Sequence, residues 1–238
     1  MFVPLHDANP LTSISFQYVT VGLIALNAAI YLLFGTQLIL SGQDTLMDFT
    51  LIPVEFLSQA AAPSSRLPAL DAPLFSPGRF TIVSYMFLHG GFLHLLGNMA
   101  FLWVFGDNVE DAMGHIRFLL FYLMCGIFAG LTHSLILPDS DIPVIGASGG
   151  VAGIVAAYLM LHPKVKIWVL VLWRIPLRIP AAWVLGFWIA LQLFSALSSS
   201  GGNTAWWAHV GGLAAGAALI LIMRRPGVAL FDRTPGGA

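Results

Sequence analysis

The chain has 238 residues, of which 58% are hydrophobic and 9% charged, and its mean hydropathy is +0.86. A soluble domain carries about 25% charged residues, so this composition describes a protein dissolved largely in lipid. A net charge of −1 lacks the basic excess that a nucleic-acid partner requires, and a single cysteine, Cys125, rules out an intramolecular disulfide and a cysteine-rich metal cluster.

A helix needs about 20 mostly apolar residues to cross a bilayer. After an N-terminal tail, residues 1–17, the first such stretch runs from Tyr18 to Gly35. No Lys or Arg precedes it and no small-residue cleavage site follows it, so it reads as a retained span rather than a removable signal. The loop from Thr36 to Leu88 carries Pro63, Pro68, Pro73 and Pro77 among apolar residues. It is too long for a hairpin and too apolar for a flexible linker, and is expected to be partly embedded in the interface. The second and third spans are His89–Gly106 and Ile116–Leu137. The fourth, Ser148–Leu161, is short and opens on polar and glycine residues, which places it inside the bundle. The segment from Lys164 to Pro180 alternates cations with Trp168, Trp173 and aliphatic residues, as an interfacial stretch should. A short fifth span, Ala181–Ala196, and a sixth, Trp206–Met223, complete the set before a tail of residues 225–238. The expected fold is an all-α polytopic membrane protein, a six-transmembrane-helix bundle over residues 18–224 with a long, partly embedded first loop. Glycines four apart at 126/130, 149/153 and 212/216 allow close approach of helix backbones.

Assigning alternate loops to opposite sides puts Arg117, Lys164, Lys166, Arg174, Arg178, Arg224, Arg225 and Arg233 together, against Arg66 and Arg79. Cations gather on the cytoplasmic side, so both termini are expected there. The second, fourth and sixth spans then begin at the outer face.

The polar residues that stand out in these spans are His94, Asn98, His133, Ser148 and His209. Intramembrane polar groups are costly and face a cavity or a partner, so each is a candidate site residue. His94, Ser148 and His209 come from three spans at similar outer depth, and Asn98 shares a helix face with His94. A serine hydroxyl becomes a nucleophile when an adjacent base takes its proton, and only Ser148 and His209 offer that pair on separate helices. Gly146, Gly149 and Gly150 clear space around Ser148 for a substrate backbone, and His94 and Asn98 supply donors for a tetrahedral oxyanion. A carboxylate to orient the histidine is missing, so the pattern argues for a Ser-His dyad performing acyl transfer. His89 and His133 read as structural. No H-E-x-x-H occurs, and His89 and His94 are five apart, off a common helix face, so neither a metal nor another cofactor is called for. A transporter would need polar groups through both leaflets, and the inner halves of these spans are apolar. The fifth span, with Phe187, Trp188 and Phe194 and the Ser198-Ser-Ser-Gly-Gly link after it, is the expected movable wall through which substrate enters.

The runs His89-Gly-Gly-Phe-Leu-His94-Leu-Leu-Gly-Asn98, Gly146-Ala-Ser148-Gly149 and Ala208-His209-Val-Gly-Gly212-Leu-Ala-Ala-Gly216 together resemble the rhomboid family of intramembrane serine proteases. The resemblance extends from about Val19 to Arg224. It implies that Ser148 is the nucleophile, His209 the general base, and His94 and Asn98 with the Ser148 backbone N–H the oxyanion hole. It further implies substrates that are single-span transmembrane proteins with helix-destabilising residues near the outer face, met in the lipid bilayer of a bacterial inner membrane. Pro4-Leu-His-Asp7 and Glu110 also look like those of bacterial members, although Glu110 reads equally well as an ordinary charged loop residue. Two positions depart from the pattern. Ala152 stands where members often carry an aromatic residue stacked on the catalytic imidazole, and Phe80-Thr81, beside Arg79, stands where many have a Trp-Arg pair. The competing reading is a non-catalytic relative that binds membrane clients; such relatives usually lack the Ser or His that this chain retains.

Overall fold

A computed structural model describes residues 2–35, 47–61, 77–171, 174–198 and 204–231. The expectations for Arg66, for Pro63, Pro68 and Pro73, and for the link at 199–202 fall outside these residues. Strand β1 (Phe2–Asp7) precedes α1 (Tyr18–Ile30), which ends in a π turn over Tyr31–Gly35. Two short helices follow in the first loop, α2 (Pro53–Ala61) and α3 (Pro77–Ser84), the latter running into a 3-10 turn at Tyr85–Phe87. The bundle continues with α4 (Phe92–Met113), α5 (His115–Ile136) and α6 (Ser148–Leu161). Strands β2 (Lys166–Val171) and β3 (Ile175–Pro180) then lead to α7 (Ala181–Leu197) and α8 (Trp206–Met223).

By length and composition, Tyr18–Gly35, α5 and α8 can each cross a membrane, and Phe80–Phe87 with α4 forms a fourth candidate bent by 94°. Large apolar side chains such as Trp103, Ile116, Phe187 and Ile222 are exposed on the bundle's outside, the inverse of a water-soluble surface. The molecule is thus a mostly helical membrane bundle.

It is not purely helical. Residues expected as a tail and an interfacial stretch form a three-stranded antiparallel sheet in the order β1-β2-β3, pairing Asp7 with Ile167 and Ile167 with Ile179. Alternation decides it: Ile167 and Val169 are buried while Lys166 and Trp168 face outward, a period-two pattern that a helix cannot use. Pro4 is tolerated because β1 is an edge strand and its register shifts between Pro4 and His6. Asp7 is buried beneath the sheet, its carboxylate accepting the Tyr158 hydroxyl at 2.5 Å, and burial holds its pKa above the usual carboxylate range.

Helix α4 continues seven residues beyond the apolar run, because its polar end finds partners within the fold. Glu110, 0% exposed, accepts the Val19 and Thr20 backbone N–H groups at 3.0 and 2.8 Å, the Thr20 hydroxyl at 2.7 Å, and lies 2.5 Å from His115 Nδ1. It is therefore no loop residue: it caps the start of α1, which has no capping side chain of its own. Asp111 does the same for the preceding segment, accepting from Thr12, Ser13 and Ile14. Gly114, with φ of +85°, ends the helix in a conformation that favours glycine.

At the centre α6 and α8 meet backbone to backbone. A Cβ on Gly212 would stand 2.0 Å from the Gly149 carbonyl oxygen, and one on Gly216 2.2 Å from that of Gly153. Gly126 and Gly130 of α5 likewise receive Met86, Ile82 and Leu51 from the first loop and α3. Close packing of this kind replaces the hydrophobic drive that lipid cannot provide.

Candidate active site

Ser148 opens α6 because the chain turns sharply at Gly146. Its φ of +121° lies where L side chains are strained, and a Cβ there would stand 2.8 Å from Cε1 and Nε2 of His94 and 3.7 Å from Ser148 Oγ. Only glycine lets the His94 ring lie against the backbone just before Ser148. The turn is pinned by the Gly146 N–H donating to the Tyr85 carbonyl at 2.9 Å, and by the Leu51–Val144 bridge to the first loop. Gly149 is equally constrained, since a Cβ on it would meet that of Ala129 at 2.5 Å.

Across the seam, His209 sits in the first turn of α8 and is buried. Its Nε2 lies 2.8 Å from Ser148 Oγ, hydrogen-bond distance for transfer of the hydroxyl proton. Its Nδ1 lies 2.7 Å from Oε1 of Gln192 on α7. The Trp188 ring, one turn before Gln192, stacks on the imidazole at 6.3 Å and 28°, and Trp206 meets it edge-on at 5.8 Å.

The remaining expected residues lie on α4. Asn98 is buried, and its Nδ2 has no hydrogen-bond partner among the described residues. His94, one turn earlier, is exposed, and its ring meets that of His89 edge-on at 5.1 Å. His89, expected to be structural, is thus a direct neighbour of His94. His133 is buried on α5. Of the three residues expected at the gate, Phe187 and Phe194 are exposed, while Trp188 turns inward onto His209. Among the described residues no group of three or more His, Cys, Asp or Glu could hold a metal ion.

Gln192 is not among the polar residues expected from the sequence to form the site, although it lies within the fifth span. A lone amide in an otherwise apolar helix was the available signal. The sequence pattern also left His209 without a stacking partner at Ala152. Ala152 and Leu213 pack with Trp188, so a small residue on α6 makes room for an aromatic one from α7.

Comparison with known proteins bears on this geometry. RHOMBOID-like protein 6, mitochondrial, of Arabidopsis thaliana is 28% identical over 173 residues, 71% of this chain and 53% of that protein. A Bacillus subtilis (strain 168) protein named "Putative rhomboid protease YdcA" is 34% identical over 80 residues, 34% of this chain and 40% of its own. "Inactive rhomboid protein 1" of Drosophila melanogaster is 28% identical over 82 residues, 34% of this chain and 6% of that protein. The chain thus spans about half or less of the length of these relatives. The family model described as Rhomboid domain matches residues 77–226, more than half of the chain and a range that contains His94, Asn98, Ser148, Gln192 and His209; the chain belongs to the rhomboid family.

Proposed function

We propose that this protein is an intramembrane serine endopeptidase that cleaves transmembrane segments of other membrane proteins. The observation that carries the reading is the 2.8 Å approach of His209 Nε2 to Ser148 Oγ from two helices locked together by glycines. In the first step His209 takes the Ser148 proton, Oγ attacks the substrate carbonyl, and the electron pair moves to the carbonyl oxygen. Asn98, His94 and the Ser148 N–H receive that charge. The histidine then returns the proton to the leaving amine, and water hydrolyses the acyl-enzyme with the same groups in the same roles. A helical peptide bond is shielded, so a substrate that unwinds easily at the outer face is preferred.

The proposed topology is six spans with both termini cytoplasmic. Helices α6 and α7, of 14 and 17 residues, are about 21 and 25 Å long, short of a hydrocarbon core of about 30 Å. Burial of nearly all of α6 makes that tolerable, since its ends need not reach the lipid boundary. Lys166 and Arg178 of the sheet, with Arg174 in the turn between their strands, follow the C-terminal end of α6, opposite Ser148, and this supports a site near the outer face. A bacterial inner membrane is the proposed home, on the Pro4–Asp7 run and Glu110.

Reaction of the detergent-solubilised protein with a fluorophosphonate probe, followed by mapping of the modified residue, tests the reading. Label is expected at Ser148 and absent from Ser148→Ala and His209→Ala. Label at another serine refutes the assignment, and a folded protein that takes no label favours the client-binding alternative that the inactive Drosophila relative brings to mind.

A further inference from the structure

The sequence pattern stops at two residues, serine and histidine, whereas the structure places a third polar group against the imidazole. Gln192 is 4% exposed, and it approaches His209 on the nitrogen that Ser148 does not use, with Oε1 2.7 Å from Nδ1. Its own Nε2 donates to the Trp188 backbone carbonyl at 3.3 Å, one helical turn back. That second contact decides which way the amide points. Rotated by half a turn, it would set Oε1 against the Trp188 carbonyl oxygen, two acceptors facing each other in a buried position.

With Oε1 toward the ring, Nδ1 must carry the proton, because an amide oxygen only accepts. The two neutral tautomers of imidazole differ little in energy when nothing selects between them, and only the Nδ1–H form leaves Nε2 free to take a proton from Ser148. We infer that Gln192 is the positioning residue of this site: it locks His209 in the tautomer that can act as base, and the Trp188 carbonyl locks Gln192. The inference rests on the protease reading of Ser148 and His209.

The proton accounting closes without Gln192 changing charge. The Oγ–H bond breaks as the Oγ–C bond forms, the proton goes to Nε2, and the imidazolium then holds Nδ1–H toward a neutral oxygen. Among the described residues the partner at Nδ1 of His209 is this amide oxygen, and no carboxylate forms an ion pair with the ring. The amide is therefore the acceptor that stabilises the imidazolium, in the place where soluble serine proteases use an aspartate.

Histidine labelled with 15N reads the tautomer directly, and does so whether or not a substrate is cut. The His209 signal is identified by its loss in His209→Ala. The wild-type ring is expected as the Nδ1–H form alone, and that of Gln192→Leu as a mixture. A wild-type ring that is mixed or protonated at Nε2, or a Gln192→Leu ring unchanged from wild type, overturns the inference while leaving Ser148 and His209 untouched.

Kinetics on a transmembrane substrate supply the second arm. Gln192→Leu, similar in volume but unable to accept, is expected to lower kcat by about 10- to 10²-fold with KM little changed. Gln192→Glu, which keeps an acceptor and guards against a variant that fails to fold, is expected to keep most of kcat. The added negative charge favours the imidazolium, so the acidic limb of its kcat/KM profile should move to higher pH. Wild-type kcat in Gln192→Leu, or equal losses in both variants with no movement of the pH profile, would reduce Gln192 to a packing residue. Loss of probe labelling at Ser148 in the wild type would instead sink the protease reading, and the tautomer measurement would still judge the hydrogen bond.

Discussion

Helices α6 and α7 are neighbours in the chain and near equals in apolarity, yet the fold treats them as opposites. From Gly149 to Tyr158 every residue of α6 is buried, and the helix is pressed onto α8 through backbone contacts that leave no room for a methyl group. Helix α7 buries only Ala181, Val184, Leu185, Gln192 and Ala196, and presents Trp183, Phe187, Phe194 and Leu197 outward. Ser148 rides on the rigid element, and Gln192 and Trp188, the partners of His209, ride on the peripheral one. Precision is needed where a bond forms, within a few tenths of an ångström, whereas passage of a substrate segment needs an element that can be displaced at low cost.

The largest effect that could break this contrast is at the seam. Gly212→Val is expected to abolish folded protein, because the new Cβ meets a carbonyl oxygen at 2.0 Å and backbone on both sides prevents relaxation. Yield of monodisperse protein in detergent and its thermal transition measure this, and a variant as stable as wild type would show that α6 and α8 are not the rigid pair. Next in size, Asn98→Ala should lower kcat by about 10²-fold while KM stays within a few-fold, since its free Nδ2 serves charge that exists only in the transition state. A rise in KM at constant kcat would make Asn98 a substrate contact.

The two faces of α7 sharpen the contrast further. Trp188→Ala removes the ring stacked on His209 and is expected to cost about tenfold in kcat, because a loosened imidazole spends less time aligned with Ser148. Phe194→Ala, on a side chain 68% exposed, should change stability by less than about 0.5 kcal/mol and raise the cleavage rate by easing displacement of the helix. If Phe194→Ala slowed cleavage and Trp188→Ala did not, the inner and outer faces of α7 would have to exchange roles.

Much of this architecture is legible in the chain. The bounds of α6 and α8 coincide with the apolar runs Ser148–Leu161 and Trp206–Met223, because lipid forces the backbone to satisfy itself within each helix. The glycine pairs 149/153 and 212/216 also announce the seam, since small residues four apart serve little else in an apolar helix. The pairing of β1 with β2 was hidden because it joins Phe2–Asp7 to Lys166–Val171, and no local pattern reports a partner some 160 residues away. Glu110 was hidden for the same reason, its role being set by the distant N-terminus of α1.

Residue type and spacing alone determined the helical membrane class and singled out Ser148, His209, His94 and Asn98 as the polar residues of the candidate site. These follow from hydropathy, helical period and the scarcity of polar groups in lipid. Only the tertiary structure decided what faces the second nitrogen of His209 and what stacks on its ring. Gln192 and Trp188 reach the imidazole because α7 packs beside α8 in one particular rotation. That rotation is fixed by the fit of many side chains at once, and no single stretch of sequence contains it.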